Sequence, residues 1–409
     1  SMAYNGPQNL ISTPYEPGRD NPSNSVPAII AALFINKIDA IDNRFLKSNL
    51  ANIIKERVSG HAPRFKNDLE LFMDLIQEPA DLVCNEKTLY RDILKRCELQ
   101  HSLRDMVWKF RNGQIYNQDY SSFLSILDKC KSGDISHSPH LLYIRDEGTI
   151  LKKILESLSF NPIKVMKKPL NQNISSIPST ALALSSIKSV PLIEVRLTTG
   201  FNSDFNNLRG VAPVDLLSHM NNQQWIIGEG GKNMILQQNE IVYCKDIVIF
   251  YVNRRHSNIN FEQNFNNSIC HQPITIDGNE VINPTPVKVE YIIPIAGADY
   301  HLQSVVICNT QTIDNKEIII GNSTIFITRP SQADLTSTNQ KYYWYDPINA
   351  INTTDAENNH IPKQYRKPIL EIEPKETYME NKTVAGFEEL ASHNGTIYIY
   401  SKMLQEPNC

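Results

Sequence analysis

The chain has no C-x-x-C pair, no cysteine before Cys84, and no apolar run longer than residues 26–35. Each absence removes a class of function. Without cysteines paired at short spacing, neither a zinc ribbon nor a thioredoxin-type redox site is indicated. The longest apolar run falls well short of the ~20 residues of a membrane-spanning helix, so no transmembrane segment and no signal peptide are expected. A large charge of one sign is missing too, because 40 Lys and Arg stand against 44 Asp and Glu, for a net charge of −4. No strong global field draws the protein to nucleic acid or anionic lipid, and no basic stripe interleaved with aromatics appears, so direct nucleic-acid binding is not expected.

The seven cysteines are odd in number and scattered. They read as reduced, mostly buried thiols of a cytosolic compartment. Sequons at Asn173, Asn352 and Asn394 read as chance matches in an Asn-rich chain. The leading Ser-Met-Ala reads as a cloning remnant.

What is present is a globular composition: 409 residues, 41% of them hydrophobic and 21% charged. That is enough for one large domain or two ordinary ones. Residues 1–17 are rich in Pro and Asn and read as a flexible arm. Residues 18–170 read as a helical subdomain. Here "FKNDLELFMDLIQ" carries Leu69, Phe72, Met73, Leu75 and Ile76 at helical spacing. "NEKTLYRDILKRCELQHSLRDMVWKF" and "DEGTILKKILESLSF" continue that pattern, with Asp146 placed to cap the last helix.

Residues 171–190 are Ser- and Asn-rich and read as a linker. Over residues 191–409 the period changes. "PLIEVRLTT", "QWIIGEG", "DIVIFYVNRR", "VKVEYIIPIAG", "YHLQSVVICN", "KEIIIGNSTIFITR", "KYYWYD" and "GTIYIYSKM" are short, β-branched and aromatic. They predict a mainly antiparallel sheet, and the whole is therefore α+β.

Local motifs nominate little chemistry. Cys130, His137 and His140 fall close together but lack a fourth ligand, and Cys270–His271 would point to opposite faces of a strand, so no metal site is expected. "GEGGK" at 228–232 lacks P-loop spacing and reads as a turn. "NRRHSN" at 253–258 reads as a solvated strand end. No cysteine sits at a Gly-led helix start, where backbone amides would lower its pKa. One alternative pairs Cys308 as a nucleophile with His301, but seven residues of extended strand separate them by about 23 Å. No cofactor is expected.

Taken in order, the segments resemble the ubiquitin-specific proteases, papain-like cysteine peptidases. "GRDNPSNSVPAIIAALF" resembles that family's nucleophile box and its apolar helix. "LQHSLRDMVWKFRNGQIYNQDYSSFLSIL" has the outline of its next two helices, and "IRDEGTILKKILESL" that of its Q-Q-D-A-H-E-F-L box. Downstream, "DIVIFYVNRR", "YHLQSVV", "GNSTIFIT", "YYWYDPINAI" and "GTIYIYSKM" resemble its later strands and boxes. The resemblance implies a papain-like fold in which Asn21 stands at the nucleophile position and Asn322 at the general-base position, while Asp346 keeps the orienting acid. Neither asparagine can do the chemistry of its counterpart. The expectation is an inactive member of the fold.

A narrower resemblance is to the poxvirus major virion core proteins of the 4b type, over "VPAIIAALFINKIDAIDN", "DEGTILKKILESLSFNPIKV", "IVIFYVNRR", "YHLQSVV" and "YYWYDPINAIN". It implies a late, non-enzymatic structural subunit of a virion core wall. Its partners would be itself and other core proteins, and it would meet them in the host cytoplasm during assembly. A scaffold that binds a ubiquitin-like protein weakly is the alternative.

Overall fold

A computed structural model describes residues 25–48, 84–112, 120–130, 146–169, 187–197, 205–217, 237–255, 257–259, 271–273, 275–276, 278–328, 340–347, 359, 369–379 and 382–402. The helical stripe of 65–77 and the strand expected at "QWIIGEG" lie outside these residues. The chain divides into two compact units, Ser1–Phe160 with Asp346–Ile369 and Asn161–Tyr345 with Leu370–Cys409.

The first unit is helical: α1 (Ser25–Phe34), α2 (Asp39–Asp42) running into a π-helical turn (Asn43–Lys47), α3 (Cys84–Arg111), α4 (Tyr120–Lys129) and α5 (Glu147–Ser157). α1 is apolar all round, and every residue of it is buried, as expected of a helix with no solvent face. Phe34, Phe45 and Phe160 meet edge to face beside it.

Basic side chains then tie helix ends together. Arg111 donates to both carboxylate oxygens of Asp42 and also to the carbonyl of Phe34, a bidentate fork that only a guanidinium can supply. Arg44 donates to Ser159 O, and Arg96 to Ser157 O. Asp146 caps α5 as its position predicts, accepting from Gly148 N and Thr149 N. Ile150, Leu151, Ile154, Leu155 and Leu158 form the buried stripe.

The second unit is built on an eight-stranded sheet. Its strands are, in chain order, β1 (Ile163–Pro169), β2 (Ile187–Val190), β3 (Ile193–Arg196), β4 (Gln237–Cys244), β5 (Ile247–Asn253), β6 (Ser257–Ile259), β7 (His271–Pro273), β8 (Thr275–Ile276), β9 (Asn279–Glu280), β10 (Ile292–Ile295), β11 (Ala298–Ile313), β12 (Lys316–Thr328), β13 (Lys341–Tyr345), β14 (Ile369–Ile372), β15 (Thr377–Met379), β16 (Lys382–Val384) and, after helix α6 (Phe387–Asn394), β17 (Gly395–Lys402). The main sheet runs β14-β13-β12-β11-β17-β5-β3, with β10 on β11. β10 with β11, β11 with β12, β12 with β13, β11 with β17 and β17 with β5 pair antiparallel, and β3 pairs with β5 in parallel.

β5 and β17 are buried along almost their whole length, which is why their sequences are continuous apolar runs rather than alternating ones. β11 and β12 form a long hairpin closed by Asp314 and Asn315, both at positive φ, the backbone of a two-residue type I′ turn. β2, β1 and β4 form a separate three-stranded sheet.

The strands expected at "DIVIFYVNRR", "YHLQSVVICN", "KEIIIGNSTIFITR", "KYYWYD" and "GTIYIYSKM" are all present, and the α+β class holds. Three features differ from the sequence expectation. Ile163–Pro169 is a strand inside the stretch assigned to helices, and it groups with the second unit. Residues 187–190, the end of the expected linker, form β2, which pairs with β1. Pairing with partners distant in sequence decides both, and no local pattern carries that information. Thirdly, the stretch before β17 contains α6, whose helical signal of eight residues is short.

Candidate functional site

The three positions singled out by the resemblance are unevenly placed. Asn21 lies outside the described residues. Asn322 sits in β12, opposite Cys308 of β11, and is 2% exposed. Its Nδ2 donates to Ile307 O at 3.5 Å and lies 3.8 Å from Cys308 Sγ. Asp346 directly follows β13, is fully buried, and groups with the first unit. Tyr345, the residue before it, pairs with Thr324, two residues from Asn322 in the chain.

The chemistry at Asn322 is that of a carboxamide among buried neighbours. An amide neither takes nor releases a proton near neutral pH. Beside it, Cys308 is 1% exposed, on a strand whose next residue, Asn309, is also buried. Asn394 Nδ2 donates to the Cys308 carbonyl and fixes that stretch of β11 to the end of α6. The pairing of Cys308 with His301 fails on geometry, because both residues lie on the single strand β11, which runs unbroken from Ala298 to Ile313.

The face of the hairpin next to Asn322 carries a polar relay that the sequence did not announce. Trp344 Nε1 donates to Ser323 Oγ at 2.7 Å, and Ser323 Oγ donates to Asn309 Oδ1 at 2.6 Å. Asn309 Nδ2 is buried and has no hydrogen-bond partner among the described residues. Three strands, β11, β12 and β13, each contribute one member, and only their register brings the three together.

The "NRRHSN" cluster requires a correction. Arg254 is 1% exposed rather than solvated. Its guanidinium donates to the carbonyls of Gly395, Ser392, Thr285 and Asn283 at 2.5, 2.5, 2.6 and 3.2 Å. Two of those carbonyls terminate α6, where orphan acceptors and the helix dipole both favour a cation. Arg255, its neighbour, forms an ion pair with Glu280. A lone pair of arginines at a strand end gives no sign of which one turns inward.

Burial holds a few side chains of the second unit in their neutral forms. Burial pushes the Cys244 thiol up to about 11, which makes it a poor nucleophile at neutral pH. Burial likewise raises Tyr291, whose hydroxyl donates to Glu388. His393 is held below the ordinary imidazole value, chiefly by burial and further by Arg209 and Arg254. Its Nδ1 lies 3.0 Å from the Pro284 carbonyl, which can only accept, so Nδ1 carries the proton.

Among the described residues, no group of three or more His, Cys, Asp or Glu side chains is arranged to hold a metal ion, and no helix is long and apolar enough to cross a membrane. Cys130 is described and buried, whereas His137 and His140 lie outside the described residues.

No family model matches the chain. Among curated proteins, it is similar to one of Acanthamoeba polyphaga mimivirus named as a candidate core protein, with 26% identity over 451 aligned positions. That alignment covers 96% of this chain and 66% of the relative, so the chain spans just under two thirds of the relative's length. Among solved structures, the chain is similar to an essential yeast splicing factor, with 11% identity, 96% of this chain and 71% of that one covered, and a TM-score of 0.41. It is also similar to the Saccharomyces cerevisiae PAN2 pseudoubiquitin-hydrolase, with 11% identity, 98% and 90% covered, and a TM-score of 0.40. The chain is thus a homologue of a protein named for a giant-virus core, with a helical first unit and an antiparallel-rich second.

Proposed function

We propose that this protein is a structural subunit of the virion core of a large DNA virus, built on a retired ubiquitin-specific protease fold. The observation that carries the reading is the likeness to the mimivirus core protein across nearly the whole of this chain. The ordered sequence blocks support the fold assignment. Residue identity supports the loss of activity, since Asn322 is a buried amide where the resemblance asks for a base, and Asn21 stands where it asks for a thiol. The resemblance to 4b-type core proteins adds a place in the core wall. In this reading the protein's partners are further copies of itself and other core proteins, met in the cytoplasm during assembly, and any contact with a ubiquitin-like protein is weak.

The structural role is tested by stripping purified virions of membrane with detergent and reductant. The protein is expected to sediment with the cores, and its release into the soluble fraction would overturn the proposal. Inactivity is tested separately, with a ubiquitin probe bearing a C-terminal electrophile. No adduct is expected, and specific labelling of any cysteine would show a working hydrolase.

A further inference from the structure

The hairpin of β15 and β16 stands open on both of its faces. Among the described residues its two strands bond to each other and to no other strand. Tyr378, on one face, is 72% exposed, and Val384, opposite Thr377 on the other face, is 45% exposed. A two-stranded ribbon is marginal by itself in water, and apolar groups left open on it mark a contact surface. Its base is fixed. Phe387 N donates to Glu373 O and Glu388 N to Pro374 O, and Gly386 approaches the Lys375 backbone so closely that no Cβ would fit there. The ribbon and its approach are acidic. Ile372 packs on the core, which leaves Glu371 and Glu373 facing out, and Glu376 shares the face of Tyr378. Against these three carboxylates the described side chains of 371–389 offer one cation, Lys375.

The three-stranded sheet of β2, β1 and β4 has the complementary make-up. Ile163, Val165, Ile241 and Cys244 turn to the core. The other face carries Ile187 beside Met166, and Ser189 beside Lys164 beside Tyr243. Tyr243 is 49% exposed and Ile187 37%, and Val242, at the bulge, is also exposed. Lys164 Nζ lies 5.6 Å from the centroid of the Tyr243 ring, a contact that leaves its charge unneutralised. Exposed Lys164, Lys188 and Lys245 outnumber exposed Glu240 and half-buried Asp246. The two patches belong to distant strands of the main sheet. The ribbon follows β14 at one edge, while β4 leads into β5, five strands along, about 24 Å away at the usual strand spacing.

We propose that the β15–β16 ribbon of one copy of this chain docks on the β2–β1–β4 sheet of a second copy, with Tyr378 against Ile187 and Tyr243, and Glu373 and Glu376 toward Lys164 and Lys188. The proposal rests on the structural role above and names the surfaces through which copies meet. Apolar groups at the centre with opposite charges around them give both affinity and register. The contact joins two different patches, so each copy keeps one of each free, and copies add head to tail into a ring or an open array. A wall subunit requires that kind of growth, which a two-fold dimer would end.

The test is sedimentation velocity of the purified whole chain at low ionic strength, with two charge-reversed variants. The parent should associate as its concentration rises to about 0.1 mM, and added salt should weaken the association. Tyr378→Ser should weaken it by about ten-fold or more. Glu373→Lys with Glu376→Lys, and separately Lys164→Glu with Lys188→Glu, should each stay monomeric. An equimolar mixture of these two variants should associate again, because each then meets an opposite charge on the other, and misfolded variants could not do so. The proposal is overturned by a parent that stays monomeric, by either variant associating as the parent does, or by a mixture that stays monomeric. A monomeric parent that still sediments with virion cores removes this contact and leaves the structural role standing, whereas release from the cores removes the role itself.

Discussion

Asn322 and Cys308 face each other across the β11–β12 ladder, with the amide nitrogen of one 3.8 Å from the sulfur of the other. The thiol is 1% exposed. Cys244 is also buried, and its proton is held up to about 11. Both should resist alkylation in the native protein near pH 8, where thiolate and access are both needed. Iodoacetamide followed by peptide mass spectrometry should leave Cys308 and Cys244 unmodified until denaturant is added. Rapid modification of Cys308 in the folded state would show that β11 opens.

Arg254 holds four carbonyls from two separate stretches of chain. Arg254→Met keeps most of the bulk and removes the donors. The buried acceptors then lose their partners, at a cost of about 3–5 kcal/mol by analogy with breaking a buried ionic contact. Urea unfolding monitored by tryptophan fluorescence should show it as a lower midpoint. Arg254→Lys should recover only part of the loss, because one ammonium cannot reach four acceptors in the plane of a guanidinium.

His393 makes stability depend on pH in a definite direction. Its affinity for a proton is lowered from the ordinary 6.5 in the folded state. Below that value the unfolded chain therefore binds the proton more readily, and acid favours unfolding. The penalty sets in as pH falls through about 6.5 and grows until the folded imidazole also protonates. The groups around it are Arg209 and Arg254, which deepen the effect, and Glu317 and the Pro284 carbonyl, which oppose it. The urea midpoint of the parent should fall between about pH 7.5 and about pH 5.5. In His393→Gln that part of the fall should vanish. An unchanged pH profile would show that the imidazole does not set it.

The sequence showed more of the fold than of the chemistry. β5 and β17 announced themselves because burial on both faces demands β-branched and aromatic runs. α5 did so through a cap and a four-residue rhythm. β1 and β2 hid in polar or mixed sequence, since what fixes them is pairing with each other and, for β1, with distant β4. The nomination of Asn322 and Asp346 rested on ordered blocks alone, because neither an amide nor a lone carboxylate carries a motif of its own. Arg254 was misread since a charged strand end normally faces water, and nothing local tells that α6 will bring its carbonyls to meet it.

The relay from Trp344 through Ser323 to Asn309 offers a test of how tightly β11, β12 and β13 are registered. Ser323 accepts from the indole and donates to the amide oxygen. Ser323→Ala leaves Trp344 Nε1 and Asn309 Oδ1 without this partner in a buried place, at a cost of about 1–3 kcal/mol. Trp344→Phe removes one of those two groups as well as part of a large side chain. In the double variant the indole N–H is no longer there to be orphaned. The combined loss should therefore be smaller than the sum of the single losses by about 0.5–1.5 kcal/mol, the range of one buried hydrogen bond. Strict additivity in a urea-unfolding cycle would mean that the indole and the hydroxyl do not interact in solution, and that the register of β12 and β13 is held by backbone pairing alone.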